Sequence, residues 1–367
     1  MLKITRFIKS NLILFIAFCL AIITSFIIPP DREYIGYFDC KTLACLLCTL
    51  AVICALKNIC FFTVLARAVV HATGNLRSAV LALVFITFFG SMLIANDMAL
   101  ITFLPLGYYV LSSTKKQKHM AFVFVMQNIA ANLGGMLTPF GNPQNLYLYS
   151  YFDIPTNEFL AITFPPFLAA TILIVICCLF VKKEKIRLSE QKNEHLPKWR
   201  TVIYLILFAL AISVVFQMIH YLIGTAIVLL SLFFLDRKAL LRVDYGLLLT
   251  FVCFFIFAGN LSRVELVHKL ISSLLEKNTL LVSILSCQCI SNVPSAILLS
   301  RFTNNYSSLL LGVNIGGTGT LIASLASLIT FREYTQREPH KTRYYMKVFI
   351  LLNLLFLITL TLIAYLF

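Results

Sequence analysis

Between Asn128 and Tyr149 the chain reads NIAANLGGMLTPFGNPQNLYLY, part of an apolar run long enough to cross a bilayer that nevertheless carries Gly134, Gly135, Pro139, Gly141 and Pro143. In a helix interior each Gly costs about 1 kcal/mol and each Pro about 3 kcal/mol relative to Ala. A continuous helix is therefore excluded, and the helix must break at mid-membrane. Backbone that leaves the helix inside a bilayer is tolerated only where it is buried in protein or lines a polar cavity. The usual reason is a binding site, as in secondary transporters that hold substrate at discontinuous helices near the midplane.

A second copy of the break lies near the C-terminus. NLGGMLTPFGN at 132–142 aligns without gaps on NIGGTGTLIAS at 314–324, pairing Asn132 with Asn314, Gly134 and Gly135 with Gly316 and Gly317, Thr138 with Thr320, and Asn142 with Ser324. Upstream of each copy sits another interrupted apolar segment, LIANDMALITFLPL at 93–106 and CISNVPSAILLSRF at 289–302, so that Asn96 corresponds to Asn292. Two motifs recurring in the same order predict an internal repeat.

Composition bounds the class. The chain has 367 residues, 60% hydrophobic and 12% charged, with a mean hydropathy of +0.92. These values exclude a soluble globular protein and predict an all-α polytopic membrane protein. The net charge of +15 does not mark a nucleic-acid binder, because the basic residues lie in loops between spans, where the positive-inside rule expects them. Most of the 11 cysteines fall within apolar spans; Cys45 and Cys48 form a CxxC with neither a second pair nor nearby histidines, and read as apolar filler. Lys3, Arg6 and Lys9 precede an apolar run at 11–28 that is followed by Pro29-Pro30-Asp31 and not by a small-residue cleavage site, so an uncleaved first span is expected.

Hydropathy predicts spans at 10–29, 42–56, 120–149, 159–181, 201–218, 222–235, 245–260, 304–330 and 346–366. Segment 57–77, with Arg67 and His71, is expected to lie along the interface, and 261–278 to be its counterpart. The run 78–112 is apolar except at Asn96-Asp97 and is flanked by basic loops on both sides. One crossing would separate those loops across the membrane, whereas a re-entrant hairpin turning at Asn96-Asp97 keeps both on the cytoplasmic side. A second hairpin is expected at 279–300. The expected architecture is two inverted-topology repeats, each with a re-entrant hairpin and a broken transmembrane helix, about nine spans plus two hairpins in all. Residues 1–181 form the first repeat, 182–221 a cytoplasmic linker and connecting span, and 222–367 the second repeat. The expected location is the inner or plasma membrane, N-terminus cytoplasmic and C-terminus extracytoplasmic.

Under this topology Asp97 is the one acid inside the membrane, where an ionised side chain costs about 2.5–3.5 kcal/mol and by default marks an ion or substrate pathway. It can also cap the second half of its hairpin, and the two roles are compatible. The remaining polar set is Asn96, Asn132, Asn292 and Asn314 with Gln127, Asn128, Thr138, Asn142, Asn145, Ser291, Ser295, Thr318 and Thr320. Some of these must satisfy unwound backbone. Those matched across the repeat, with Gly134, Gly135, Gly316 and Gly317, are the candidates for a substrate site. No Lys or Arg is expected inside it. An anion there would rely on helix N-termini and on N–H groups exposed at glycines. A charged Asp97 repels that anion until a proton or metal cation neutralises it, which couples the two fluxes. Asp97 alone can equally bind a cation exchanged against protons. HExxH, GxSxG and an intramembrane Asp pair are all lacking, which argues against a membrane-embedded enzyme.

The segments NDMALITFLPL, GGMLTPFGNPQN, SNVPSAILL and GVNIGGTGTLIASLASLI resemble the paired signatures of the ion transporter superfamily, specifically its citrate-transporter-like branch. That branch is related to arsenite efflux permeases and divalent anion:sodium symporters, and the resemblance covers most of 78–330. It implies inverted repeats, re-entrant hairpins, a scaffold that forms homodimers, elevator-like alternating access, and no cofactor besides a coupling ion, Na⁺ or H⁺. By the same resemblance Asn96, Asn292 and the two Gly-rich breaks sit at the family's substrate and cation sites, which puts Na⁺ near Asn96, Asp97, Asn132, Asn292 and Asn314. The symporters' Ser-Asn-Thr tip is Ala95-Asn96-Asp97 in the first hairpin and Ser291-Asn292-Val293 in the second. The Asn-Asp pair and the tail GTLIASLASLI lean toward the arsenite permeases. The expected function is secondary active transport of a small anion, a carboxylate or inorganic oxyanion, with cation/proton antiport or arsenite-type metalloid efflux as the alternative.

Overall fold

Short polar residues start many of the helices. Asp39, Asn75, Asp236, Asp244 and Asn305 each accept a hydrogen bond from the backbone N–H three residues on, at 3.0–3.1 Å. The computed structural model describes residues 12–186 and 196–366; Lys3, Arg6 and Lys9 and the middle of the 182–200 loop lie outside the described residues. Regular structure among the described residues is helical throughout, apart from an isolated bridge between Asn75 and Lys185. In order the helices are α1 (Leu12–Ile27), α2 (Cys40–Asn58), α3 (Phe61–His71), α4 (Leu76–Ile94), α5 (Asn96–Ser113), α6 (Met120–Gly134), α7 (Pro143–Tyr151), α8 (Thr156–Leu179) and α9 (Lys198–Val215). They continue with α10 (Tyr221–Leu235), α11 (Arg237–Leu241), α12 (Tyr245–Ser262), α13 (Glu265–Ile290), α14 (Asn292–Leu299), α15 (Tyr306–Ile315), α16 (Leu325–Arg337) and α17 (Thr342–Ala364).

Eight of the described helical segments are long and apolar enough to cross a membrane: α2, α4, α8, α9, α12, α13, Gln117–Leu137 around α6, and Pro339–Ala364 around α17. Helices α1 and α10 are apolar but shorter, about 24 and 22 Å at 1.5 Å per residue. On α8 the exposed residues Leu160, Phe164, Leu168, Ile172 and Ile176 recur every fourth position, a stripe that suits lipid and not water. The centre is α6, every residue of which is buried except Phe122. This is a multi-pass helical membrane protein.

The two interrupted apolar segments fold back on themselves. Helices α4 and α5 meet at Ala95, and Gly90 of the first lies against the ring of Phe103 in the second. Gln127 on α6 joins them by donating to Thr87 Oγ1 (3.0 Å) and Phe103 O (3.3 Å), one residue eight positions before Ala95 and the other eight after it. Their far ends lie together, because segment 181–186 touches both. Leu76 N donates to Glu184 O (2.8 Å) and Arg77 Nε to Val181 O (2.8 Å), while Lys116 pairs with the Glu184 carboxylate. Helices α13 and α14 meet likewise at Ser291, where Ser286 Oγ and Ser295 Oγ share a hydrogen bond of 2.8 Å, and Ser272 Oγ reaches Phe302 O (3.3 Å) at the far end. Toward the base of the first pair, Tyr109 of α5 shares a cavity wall with Lys57 at the end of α2 and Thr63 of α3. The second is based near the start of α2, since Arg301 donates to Tyr37 O (2.5 Å). The segment expected as an amphipathic connection at 261–278 is the first part of α13, which continues through a kink at Asn278 (φ −164°, ψ 88°).

The two breaks differ inside, the second passing through Gly319 at φ 121°, but agree at the residue that opens the second half. Helix α6 ends at Gly134, passes through a 3-10 turn at Gly135–Leu137 and an extended Thr138, and α7 begins at Pro143, whose missing N–H costs nothing at a first helical position. Helix α15 ends at Ile315, and α16 begins at Leu325 and runs to Arg337, past the expected end of the span at 330. The residues before the second halves, Asn142 (φ −136°, ψ 141°) and Ser324 (φ −149°, ψ 149°), take matching extended conformations.

Close approach fixes one glycine firmly. A Cβ on Gly134 would lie 2.2 Å from Phe88 O and 2.9 Å from its carbonyl carbon, both backbone atoms that cannot rotate away. Gly134→Ala is expected to lower the stability of purified protein by about 1–3 kcal/mol, whereas Gly74→Ala, which meets nothing within 4 Å, leaves the unfolding midpoint within error. Lys116 beside Glu184 holds that carboxyl below its ordinary range, so the clasp adds stability above the unfolded-state value and loses it as pH falls through the folded one. Glu184→Gln is expected to flatten the acid limb of an unfolding-midpoint profile.

Candidate functional site

The two fold-back tips share one cavity of about 150 Å³, walled by Asn96, Asp97, Ser291, Asn292, Pro143, Gln144, Leu325 and Arg332, with Asp244 and Thr250 from α12 and the turn before it. Four helices begin in its wall: α5 at Asn96, α14 at Asn292, α7 at Pro143 and α16 at Leu325. Each N-terminus carries the equivalent of about half a positive charge, although at α14 the N–H groups of Asn292 and Val293 are taken by Ala323 O and Asn292 Oδ1 and Pro294 has none. The tips are alike in detail. Ala95 (φ 63°, ψ 150°) and Ser291 (φ 75°, ψ 159°) both occupy a region that L-residues avoid. The next residue's side chain then caps the turn, Asn96 Oδ1 accepting from Asp97 N and Asn292 Oδ1 from Val293 N, each at 3.0 Å.

Behind the cavity a buried amide network ties the breaks together. Asn132 Nδ2, at the end of α6, donates to Ser324 Oγ (3.1 Å) at the start of α16, and Asn142 Nδ2, at the start of α7, donates to Asn314 Oδ1 (3.3 Å) at the end of α15. Asn132 also accepts from Asn96 Nδ2 (3.1 Å), and Asn314 donates to Asn145 Oδ1 (2.6 Å). Asn145 Nδ2 in turn lies within 3.1–3.3 Å of the carbonyls of Gly135, Met136 and Thr138 in the break, the last of which also accepts from Gly141 N (3.2 Å). Thr138 and Thr320 bind the carbonyls of Met92 (2.8 Å) and Gln288 (3.2 Å), each three residues before its tip. Gly134 and Gly316 pack beside Ser91 and Cys287, each four residues before its tip.

The expected site residues therefore divide. Asn96, Asp97, Ser291 and Asn292 line the first cavity, and Asn142 lines a second, of about 70 Å³, that also touches Asp97 and Asp244. Asn132 and Asn314 stand behind the wall as braces, Thr138 and the exposed Thr320 tie the breaks to the fold-backs, and Thr318 bonds the Ile315 carbonyl (2.6 Å). The close neighbours of Gly135 and Gly317 are Asn142 Oδ1 and Asn292 Nδ2, so both glycines make room for amides. One expectation is corrected: a basic residue does line the site. Arg332 lies two turns along α16 from Leu325, on the same face, because the helix runs beyond the apolar stretch that marked its end in the sequence. Gln144, Asp244 and Thr250 were not singled out either. Gln144 sits directly behind Pro143 in the GNPQN segment, a position adjacent to a helix start that could have flagged it.

Three buried oxygens on these walls lack a hydrogen-bond partner among the described residues: Asp97 Oδ1, Asn142 Oδ1 and Gln144 Oε1. An unsatisfied buried acceptor costs about 1–3 kcal/mol. Donors come from the helix N-termini and Arg332, and no ion pair or side-chain hydrogen bond of Arg332 is formed among the described residues.

Residues 1–308 match the family described as citrate transporter. The chain belongs to the citrate transporter family. Among relatives, an uncharacterized transporter of Methanocaldococcus jannaschii is 32% identical over 335 residues, 90% of each chain. An inner membrane protein of Escherichia coli K12 is 30% identical over 286 residues, 76% of this chain and 75% of its own. Members of the citrate transporter family are membrane transporters of small solutes and not enzymes. Asn132→Leu would orphan Asn96 Nδ2 and remove a donor from Ser324; it is expected to cost about 1–3 kcal/mol in denaturant unfolding of the purified protein.

Proposed function

We propose that the protein is a secondary active transporter that moves a small anion, a carboxylate or an inorganic oxyanion, coupled to H⁺ or Na⁺ by alternating access. The observation that carries this reading is the convergence of four helix N-termini and Arg332 on one cavity beside Asp97. N-termini supply fixed partial positive charge, part of the recognition that an oxyanion or carboxylate requires. Arg332 adds a planar fork suited to a carboxylate. The unpartnered oxygens of Asp97, Asn142 and Gln144 are the complementary half, acceptors suited to a proton or a hard cation.

On this reading α4–α5 and α13–α14 are re-entrant hairpins entering from opposite faces, and 1–181 and 222–367 are inverted-topology repeats joined by 182–221. The bases of the two fold-backs at opposite ends of α2, and the paired roles of Asn132 with Asn314, Asn142 with Ser324 and Thr138 with Thr320, support it. A cytoplasmic N-terminus follows from the basic loops. Binding is ordered: the cation neutralises Asp97 first, and the anion enters second. A cation/proton antiporter is the second reading, favoured by the presence of Asp97 and Asp244 on the walls of the same two cavities.

Thermal-shift measurements against citrate, sulfate, arsenate, arsenite, Na⁺ and Li⁺ at two pH values separate the readings. A ligand at about 100 times its Kd adds roughly 2.7 kcal/mol of stability. Stabilisation by one of the anions is expected only with Na⁺ or at the lower pH, and Asp97→Asn removes that requirement. In liposomes, Asn96→Ala and Asn292→Ala abolish anion uptake in folded protein. Stabilisation by cations alone, with no response to any anion, would establish antiport instead.

A further inference from the structure

Segment 181–186, which ties the far ends of α4 and α5 together, also gathers charge. Lys182, Lys183 and Lys185 lie on it, and Lys115, Lys116 and Lys118 come from the turn between α5 and α6. Among the described residues one acid stands between the two loops: Glu184 pairs with Lys116 and has Lys118 Nζ at 3.8 Å. The patch is held in place by backbone bonds. Besides those that Glu184 O and Val181 O accept, Ile186 N donates to Gly74 O (3.5 Å), and Lys185 forms the isolated bridge with Asn75. Lys115, Lys118, Lys182, Lys183 and Lys185 are exposed. Among the described residues the ammonium groups of Lys115, Lys182, Lys183 and Lys185 form no ion pair or hydrogen bond.

A lysine in a loop on this side is accounted for by the positive-inside rule alone. Six of them gathered around one carboxylate are not, and the other loops that the rule places on this side are built differently. Between α16 and α17, Arg337 and Lys341 pair with Glu333 and Glu338, and before α12 the bases Arg237, Lys238 and Arg242 are accompanied by Asp236 and Asp244. Apolar surface also leads to the lysines. The stripe on α8 that begins at Leu160 continues at the same spacing to Phe180, which is 83% exposed and stands two residues before Lys182. From Leu160 to Phe180 it runs about 30 Å at 1.5 Å per residue, the thickness of a hydrocarbon core. A ligand that suits both parts has an acidic head at the membrane surface and an apolar chain below it.

We infer that this patch docks an anionic phospholipid, with its phosphate diester among the lysines of the two loops and an acyl chain along the α8 stripe. Ammonium groups act as point charges and receive a diester without a fixed fork geometry. Glu184 joins the two loops, so that lysines from both lie within reach of one headgroup. Because segment 181–186 is bonded to both arms of the first fold-back, a bound headgroup anchors the base of that fold-back to the inner leaflet. Soluble phosphate lacks the chain that the stripe accommodates, which makes lipid the occupant. The inference is independent of what the protein transports.

Native mass spectrometry of the purified full-length protein tests the site, with dioleoyl phosphatidylglycerol and dioleoyl phosphatidylcholine added in equal amounts so that only the headgroup differs. The anionic lipid is expected to be retained about tenfold more than the zwitterionic one. Lys115→Gln, Lys118→Gln, Lys182→Gln and Lys183→Gln together remove the preference, whereas the same loss of charge through Lys238→Gln, Lys277→Gln, Arg343→Gln and Lys347→Gln keeps it. Should the first combination not fold, Lys182→Gln with Lys183→Gln reports the same by lowering the preference severalfold. Raising ammonium acetate from about 0.1 to 1 M shortens the screening length from about 10 to 3 Å and lowers the preference in the wild type. Glycerophosphoglycerol, the same headgroup without chains, does not displace the lipid at about hundredfold excess. Equal retention of the two lipids by the wild type, or a preference that survives loss of the lysines, overturns the site. Displacement by glycerophosphoglycerol overturns lipid as its occupant.

Discussion

A peptide group that leaves a helix inside a membrane must find a partner in the protein, and much of the organisation follows from how this chain meets that demand twice. The breaks after Gly134 and Ile315 free carbonyls and N–H groups in the most enclosed part of the molecule. Asparagine answers the demand because its side chain offers both a donor and an acceptor. Asn145 takes up the carbonyls of the first break, while Asn132 and Asn314 each reach the residue that opens the second half of the other broken helix. The network uses no charged group, so it needs no counterion and carries little desolvation cost beyond that of its amides.

Satisfying the breaks internally leaves the tips free for chemistry. At Ala95 and Ser291 the chain reverses through a backbone conformation that costs about 1–3 kcal/mol for a residue with a side chain, sustained by the packing of Gly90 on Phe103 in one case and the Ser286–Ser295 bond in the other. Each reversal starts a new helix at its tip, pointing its N-terminus into the cavity. The breaks contribute α7 and α16 in the same sense. Strain, helix ends and unpartnered acceptors of Asp97, Asn142 and Gln144 thus meet around one place, while Asn132, Asn145 and Asn314 behind it bond across the breaks.

Much of this could be read from residue order. The glycines and prolines of 132–143 announce a break, the recurrence at 314–324 announces a second, and Asn96 and Asn292 mark the two reversals. What escaped is what depends on neighbours brought from elsewhere in the chain. Spacing tells which residues share a helix face but not which helices meet, so Asn132 and Asn314 looked like wall residues when they brace the wall from behind. Arg332 escaped because hydropathy ends a span where apolar residues end, whereas α16 keeps its hydrogen bonds to Arg337 and carries the guanidinium back to the cavity. The expected amphipathic connection at 261–278 is the outer part of α13, largely exposed and set off by the non-helical Asn278, which caps the inner half by accepting from Leu281 N (2.9 Å).

The crossed amides also bear on synthesis. Asn132 and Asn142 are made early, but their partners Ser324 and Asn314 emerge only near the end of the chain. Until then Asn132 and Asn145 lack the partners that the second break supplies, in a segment too apolar to wait in water and too polar to face lipid. The early half must be sheltered while the late half is made, and the last spans to enter the membrane are those that allow the first to settle.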